Sequence, residues 1–207
     1  MLCWTLRALT AAKVLLEEDS LELGECVIAA RPEEFLLIQE ILKSEDFPFC
    51  VHLIEGGTTR QQSVHNAVKI ARGSWVMVHD AARPLASPQL FRGVCSKALC
   101  RGAAIAALPA SDTVKCADKS TLDPAIKSTF DRRYIWLAQT PQVFAKDTFL
   151  QALELADQED FEGTDCSSLM ERQGHSVALV PGETRNFKIT YREDLARATM
   201  LLEQNIL

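Results

Sequence analysis

The chain has 207 residues, 47% of them hydrophobic, which is long enough for one α/β domain with a sizeable core. Its 22 basic and 28 acidic residues give a net charge of −6, which argues against a protein that coats nucleic acid. The seven cysteines lack the spacing of a metal site, so we expect reduced thiols and no zinc. The sequence shows no signal-peptide pattern and no apolar run of roughly 20 residues. We therefore expect no membrane contact and a cytoplasmic location.

Helices and strands are predicted to alternate in the first half of the chain. Spaced apolar residues predict helices over residues 1–17, 32–43, 63–72 and 87–101. Short apolar runs predict strands over residues 26–30, 51–54, 75–78 and 103–108. This alternation is typical of an α/β protein with a doubly wound, mostly parallel sheet, and we expect one domain over residues 1–207.

The alternation breaks near residue 110. Polar, strand-like segments at 112–116 and 128–130 flank a turn region at 118–124, which predicts a projecting β-hairpin. A two-stranded hairpin buries little surface by itself, so we expect residues 110–134 to form an arm that packs on a second subunit. Downstream we predict strands over 134–138, 177–180 and 187–190, and helices over 147–156, 164–173 and 192–202.

Charged residues follow the predicted strand at 75–78. The segment His79-Asp80-Ala81-Ala82-Arg83-Pro84 places a carboxylate and a guanidinium at the carboxyl end of a buried strand, where α/β sheets bind ligands. Asp80 is suited to bind Mg²⁺, and Arg83 is suited to grip a phosphate. A glycine-rich corner, residues 56–63, follows the preceding strand. Together the two corners predict a site for a nucleotide or a sugar phosphate.

Six short motifs together resemble one enzyme family. They are residues 56–64 (GGTTRQQSV), 78–84 (VHDAARP), 112–115 (DTVK), 139–144 (QTPQVF), 164–165 (TD) and 186–190 (NFKIT). In this order they resemble 2-C-methyl-D-erythritol 4-phosphate cytidylyltransferase of the non-mevalonate isoprenoid pathway. The resemblance implies a Rossmann-like nucleotidyltransferase fold and a homodimer. It also implies a magnesium-dependent transfer from CTP to methylerythritol phosphate, giving 4-diphosphocytidyl-2-C-methyl-D-erythritol and pyrophosphate.

The resemblance also implies roles for individual residues. The catalytic residues would be Lys188, Arg132 and Asp80, with Asp80 as the magnesium ligand. The nucleotide-binding residues would be Gly57, Arg60, Ser63, Asp80, Ala81 and Lys188. The acceptor-binding residues would be Arg83, Asp112, Thr113, Arg132, Thr140, Thr164 and Lys188, with Arg132 and Thr164 acting across subunits.

Several of these roles have a structural alternative. Asp80 could be a turn or helix-capping aspartate, Lys188 an exposed lysine, and the threonines could be structural. Ser63 could be a helix N-cap, Arg60 a solvated arginine and Arg83 part of a surface ion pair. The arginine of the family's arm could also align with Arg133 instead of Arg132. We assign His79 to packing, because on a strand its side chain faces away from that of Asp80.

The chain departs from the family pattern in two places. Family members begin with a strand and a glycine-rich loop that wraps the CTP triphosphate, and no matching segment is found in these 207 residues. We therefore expect an N-terminally short form of the enzyme, with a truncated, non-catalytic homologue as the alternative. Arg185 also stands where the family usually has an acidic residue, which leaves room for another polyol phosphate acceptor such as ribitol 5-phosphate.

Overall fold

The computed structural model describes residues 1–118 and 123–203. The helices are α1 (Leu2–Glu18), α2 (Phe35–Lys43), α3 (Arg60–Ile70), α4 (Pro88–Arg101), α5 (Lys146–Gln158), α6 (Cys166–Arg172) and α7 (Arg192–Glu203). The strands are β1 (Glu25–Ala30), β2 (Cys50–Glu55), β3 (Trp75–Val78), β4 (Ala103–Pro109), β5 (Lys115–Ala117), β6 (Ile126–Thr129), β7 (Trp136–Ala145) and β8 (Ala178–Pro181). In these residues no helix is both long and apolar enough to span a bilayer.

The strands of these sheets run mostly parallel, as predicted, with β7 as the antiparallel exception. β1 pairs parallel to β2, and a separate sheet has the order β3-β7-β4-β8. β7 is antiparallel to both β3 and β4, whereas β8 is parallel to β4. The reason lies in the connection from β4 to β7, which runs through β5 and β6 without a helix that could carry the chain back across the sheet.

The α/β character is confirmed, with helices on both faces of the four-stranded sheet. Alternate residues of β4 enter different cores, because side chains on a strand point to opposite faces. Ala104 and Ala106 join a core containing Leu6 of α1 and Phe91 of α4. The neighbouring β4 residues Ala103 and Ile105 join a second core, which contains the following side chains from β7, α5 and α6: Phe144, Phe149, Leu153 and Leu169.

β5 and β6 pair antiparallel at the position where the sequence predicts a hairpin. All four residues of β6 are exposed, and so are several large apolar side chains around it: Ile126, Phe130, Tyr134, Trp136 and Leu137. The middle of the predicted turn, residues 119–122, lies outside the described residues. The pairing therefore leaves an apolar surface whose role as a subunit arm is taken up below.

Two local predictions are wrong. Residues 187–190, predicted as a strand, form an irregular segment. The Ile189 N–H bonds to the Ala82 carbonyl at 2.8 Å, but Ala82 lies in a loop, so no strand is available there for regular backbone pairing. Helix α3 begins at Arg60 rather than Ser63. The cap is Thr59, whose hydroxyl accepts the Gln62 N–H at 3.2 Å.

Candidate active site

Asp80 follows the carboxyl end of β3 and lies among three cations. Its Oδ1 accepts hydrogen bonds from Arg60 Nη2 (3.1 Å) and Nε (3.3 Å). Its Oδ2 lies 3.4 Å from Lys188 Nζ and 3.8 Å from Arg83 Nε. The Asp80 side chain is only 16% exposed, whereas that of Lys188 is 48% exposed. The cluster thus has a surplus of positive charge that opens toward solvent.

The cations control the ionisation of Asp80. Burial opposes its negative charge, but Arg60, Lys188 and Arg83 outweigh that cost and lower the pKa of the carboxyl group below its usual value. Burial also lowers the pKa of Arg83 from its usual value, yet a guanidinium stays charged at neutral pH. The site therefore combines one carboxylate with three cations, an arrangement suited to binding a polyanion.

His79 and Thr140 hold the backbone of Asp80 in place. The Asp80 N–H donates to Thr140 Oγ1 (3.0 Å), and the same hydroxyl donates to His79 Nδ1 (3.0 Å). His79 Nε2 then donates to the Arg83 carbonyl at 3.1 Å. Burial lowers the pKa of His79 to about 4, so the ring is neutral. His79 packs edge-on against Phe91 and does not contact the cluster's cations through its ring nitrogens, as expected of a packing residue.

The irregular segment 186–190 brings Lys188 to the cluster. Asn186 anchors it: this side chain is completely buried, and its Nδ2 donates to the Thr140 carbonyl (2.8 Å) and to Gln139 Oε1 (3.2 Å). Arg83 Nη1 donates to the Asn186 carbonyl at 2.7 Å. Since Thr140 also holds Asp80, one residue of β7 links the two segments that supply the carboxylate and the lysine.

The glycine-rich corner lies at the start of α3. The Gly57 N–H donates to Ser63 Oγ (3.0 Å), and Ser63 in turn donates to the Thr59 carbonyl (2.9 Å). A Cβ atom on Gly57 would lie 2.2 Å from Gln62 Cβ, so no larger residue fits this turn. The corner therefore packs tightly, and Arg60 at the first position of α3 extends from it to Asp80.

Cys166 is a contact of Arg60 that sequence reasoning missed. It opens α6, is 2% exposed, and its Sγ accepts from Arg60 Nη1 at 3.4 Å. Burial raises the pKa of this thiol to about 11, so it is neutral. Thr164 lines a small cavity of about 120 Å³ beside Arg60. Arg60 and Cys166 are 106 positions apart in the sequence, so no local pattern could indicate this contact.

Glu183 is a second contact that the sequence did not indicate. It accepts hydrogen bonds from the Ser87 hydroxyl and from the Ser87 N–H (3.2 Å), and it forms an ion pair with Arg185 at 3.2 Å. Arg185, the departure from the family pattern, is thus paired within its own loop. Gln139 bonds to the Glu183 backbone and connects this loop to β7.

Other predicted site residues lie elsewhere. Asp112, Thr113 and Arg132 are exposed at the base of the hairpin, and within residues 1–118 and 123–203 no hydrogen bond or ion pair joins them to Asp80. Arg132 donates to the Ser111 carbonyl, whereas Arg133 pairs with Asp131 at 2.6 Å. The carbonyl of Ala81 accepts from Thr5 Oγ1 at 3.2 Å, which joins the Asp80 loop to α1.

The protein supplies only part of the ligand set that a magnesium ion would need at this site. The described residues contain no group of three or more His, Cys, Asp or Glu side chains that could bind a metal, and Asp80 is the carboxylate in the cluster. Mg²⁺ at phosphate sites is commonly bound by one or two carboxylates together with substrate phosphates and water. Asp80 therefore fits a metal that arrives with a phosphate ligand.

The fold and the site define an α/β protein with a cluster of three cations and one carboxylate at the carboxyl ends of its strands. The family model for 2-C-methyl-D-erythritol 4-phosphate cytidylyltransferase matches residues 2–204. The chain belongs to this family.

Known relatives agree with this assignment. A protein named 2-C-methyl-D-erythritol 4-phosphate cytidylyltransferase from Acidobacterium capsulatum is 37% identical over 99% of this chain and 83% of its own length. The bifunctional enzyme IspD/IspF of Anaeromyxobacter sp. is 49% identical over 72% of this chain, but this chain spans only 39% of it. The structure of 4-diphosphocytidyl-2C-methyl-D-erythritol synthase from Anaerococcus prevotii superposes with a TM-score of 0.86 and 30% identity, over 98% of this chain and 88% of that one.

Proposed function

We propose that the chain transfers a cytidylyl group from CTP to 2-C-methyl-D-erythritol 4-phosphate and releases pyrophosphate. In this reaction the acceptor phosphate attacks the α-phosphorus of CTP. The cluster of Arg60, Arg83 and Lys188 around Asp80 is the observation that carries the proposal, because it suits a polyanionic reactant. The family assignment supplies the nucleotide and the acceptor.

The proposed chemistry needs no general base, since the attacking phosphate oxygen is already an anion. Catalysis then consists of holding two phosphates in line and stabilising the charge that develops at the α-phosphorus. Lys188 is well placed for this role because its ammonium group is half-exposed at the mouth of the cluster. Arg83 would hold the acceptor phosphate, and Arg60 the nucleotide phosphates.

The corner around Gly57 and Ser63 would bind the nucleotide base. The tight turn at Gly57 lets a flat ligand approach the backbone, and the nearby start of α3 offers N–H groups. Ala81 would contribute backbone contact and small size, while Thr140 and Thr164 would contribute hydroxyl groups. Asp80 would bind Mg²⁺, which neutralises phosphate charge when it is present.

We further propose that residues 110–134 form an arm that places Arg132 in the acceptor site of a second copy, that Thr164 also acts across subunits, and that Asp112 and Thr113 bind the acceptor. The exposed apolar surface around β6 and the exposure of Arg132, whose side chain donates to the Ser111 carbonyl, support this arrangement. A single globular domain with this arm and a cytoplasmic location complete the proposal, and the free state of all seven cysteines supports that location.

Mixing two inactive variants tests the arm. Asp80→Asn removes the metal ligand, and Arg132→Ala removes the arm arginine. If Arg132 acts across subunits, a mixed dimer holds one complete site, and equal mixing should restore about a quarter of the wild-type rate. No recovery in mixtures proven to contain mixed dimers would show that Arg132 acts within its own subunit.

Pyrophosphate release tests the proposed reaction. The full 207-residue chain is incubated with magnesium, CTP and 2-C-methyl-D-erythritol 4-phosphate, with ATP, GTP and UTP as nucleotide controls and ribitol 5-phosphate as the acceptor control. We expect release that requires CTP and the methylerythritol acceptor. Faster turnover of ribitol 5-phosphate would assign a different acceptor, and no release with any acceptor would favour a non-catalytic homologue.

A further inference from the structure

Lys188 depends on its backbone for its position. Its side chain is 48% exposed, and among residues 1–118 and 123–203 its ammonium group has one ion-pair partner, Asp80, with 3.4 Å between Nζ and Oδ2. An exposed ammonium group on a flexible four-carbon stem is not held by packing. The place of this charge beside Asp80 is therefore set by the segment that carries Lys188, residues 182–189, which forms no helix or strand.

Gln139 of β7 holds the first half of this segment. Its side chain is 6% exposed, and its Nε2 donates to the Glu183 carbonyl at 3.0 Å. Its Oε1 accepts from the Glu183 N–H (3.2 Å) and from Asn186 Nδ2 (3.2 Å). A side-chain amide oxygen has two lone pairs, so the acceptor capacity of Gln139 is fully used. One side chain thus fixes both a backbone unit of the segment and the buried side chain that lies two residues before Lys188.

Gly182 allows the segment to lie directly against this amide group. A Cβ atom at Gly182 would be 2.4 Å from Gln139 Oε1 and 3.2 Å from the Ala107 carbonyl oxygen. The Gly182 N–H also donates to that carbonyl at 2.7 Å. Because glycine has no Cβ, the backbone can approach its neighbours this closely. The segment therefore begins with little room to shift while Gln139 is in place.

We infer that Gln139 is a positioning residue for Lys188, because it fixes the segment that carries this lysine. The inference rests on the proposed function, in which Lys188 stabilises the charge that develops at the α-phosphorus. Misplacing a reacting group by about 1 Å can cost roughly 10²-fold in rate, so hydrogen bonds two residues away can control turnover. The bond from Asn186 to the Thr140 carbonyl (2.8 Å) remains when Gln139 is replaced, so we expect the segment to shift and not to detach.

A double-mutant cycle with Lys188 tests the inference on the full chain. Gln139→Met keeps the length of the side chain but removes its three hydrogen bonds. We expect kcat for pyrophosphate release to fall roughly tenfold in the wild-type background and by less than about twofold in the Lys188→Gln background, where no ammonium group remains to be positioned. KM for CTP should stay within about twofold of the wild-type value, because Arg60 and the glycine-rich corner belong to another segment.

Gln142 supplies the matched control. It lies on the same strand, is 1% exposed, and its side chain bonds to Asp165 (2.8 Å), to the Ser167 N–H (3.2 Å) and to the Gln139 carbonyl (3.3 Å). These bonds hold the start of α6 and not residues 182–189. Gln142→Met should therefore lower Tm about as much as Gln139→Met does, but any loss of kcat should be equal in the two Lys188 backgrounds. An equal loss for Gln139→Met as well would overturn the inference, since it would mark Gln139 as merely structural.

Gly182→Ala takes the place of Gln139→Met if the latter does not fold. It leaves every hydrogen-bonding group present and instead displaces Gln139 Oε1, which is the end of a flexible side chain. We expect the same dependence on Lys188 as for Gln139→Met. A loss of kcat that is independent of Lys188 would contradict the inference here too.

Pyrophosphate binding provides a readout without turnover. In calorimetry with pyrophosphate and magnesium, Gln139→Met should weaken binding about two- to fivefold when Lys188 is present, as loss of one partly exposed ionic contact does, and should change nothing in the Lys188→Gln background. If the wild type releases no pyrophosphate from CTP, the proposed reaction is wrong and this binding cycle alone decides the inference. The inference is overturned if the wild type binds no pyrophosphate, or if Gln139→Met has no effect in the presence of Lys188.

Discussion

His79 should make the folded protein sensitive to acid. Its pKa is lowered to about 4 by burial, whereas an exposed histidine in the unfolded chain has a pKa near 6.5. Between these values the unfolded chain binds a proton that the folded protein does not, so stability falls as the pH falls. Linkage gives a free energy of unfolding about 2 kcal/mol lower at pH 5 than at pH 8 from this residue alone.

Urea unfolding at the two pH values measures the effect. Trp75 in β3 lies close to His79 in sequence and serves as the fluorescence probe. With a slope of about 2 kcal/mol per molar urea, the midpoint should fall by about 1 M between pH 8 and pH 5. His79→Gln should lower the free energy of unfolding at both pH values, because it loses the bonds to Thr140 and Arg83. It should also remove the part of the difference between pH 8 and pH 5 that comes from protonation of His79.

A second histidine variant separates the effect of His79 from that of replacing any histidine. His175→Gln, at an exposed position, is the matched control for replacing a histidine as such. If His79→Gln loses as much stability between pH 8 and pH 5 as the wild type does, the buried neutral ring is not the source of the acid sensitivity. The assignment of His79 as the neutral support of the Asp80 loop would then be wrong.

Three substitutions test the site directly. Asp80→Asn should abolish magnesium-dependent pyrophosphate release while circular dichroism stays unchanged; retained turnover would remove Asp80 as the metal ligand. Lys188→Gln should lower kcat roughly 10²- to 10³-fold, as loss of one charge-stabilising group does, while Lys69→Gln on the exposed face of α3 should not. Gly57→Ala forces a Cβ to within 2.2 Å of the Gln62 Cβ, so KM for CTP should rise roughly tenfold, and an unchanged KM would separate this turn from nucleotide binding.

The spacing of apolar residues predicted those helices and strands whose pattern lies within the segment itself. The apolar run at Trp75–Val78 is a strand with the predicted bounds, and the spaced leucines near the start form α1. The direction of β7 was not predictable in this way, because it depends on a connection whose topology no periodicity records. The failed strand at 187–190 has suitable residues but lacks a partner edge, which is a property of the neighbouring loop.

The site was predictable to the extent that motifs sit at strand ends. Asp80, Arg60, Arg83 and Lys188 lie within ion-pair distance although they come from three separate segments. Cys166 was not predictable, because a thiol that accepts from an arginine has no signature in the sequence. Contacts made through folding alone, such as this one, require the structure.

The charge of the Asp80 cluster has a consequence for turnover. Three cations against one carboxylate attract any polyanion, and pyrophosphate keeps most of the negative charge of the CTP phosphates that would deliver it. Under the proposed reaction, the features that would capture the nucleotide would therefore also slow departure of the leaving group. Moderate salt screens a half-exposed ammonium more than a buried guanidinium. It should therefore speed pyrophosphate release at saturating substrate, and it should weaken CTP binding at low substrate. The proposed function therefore predicts product inhibition by pyrophosphate through the same three side chains.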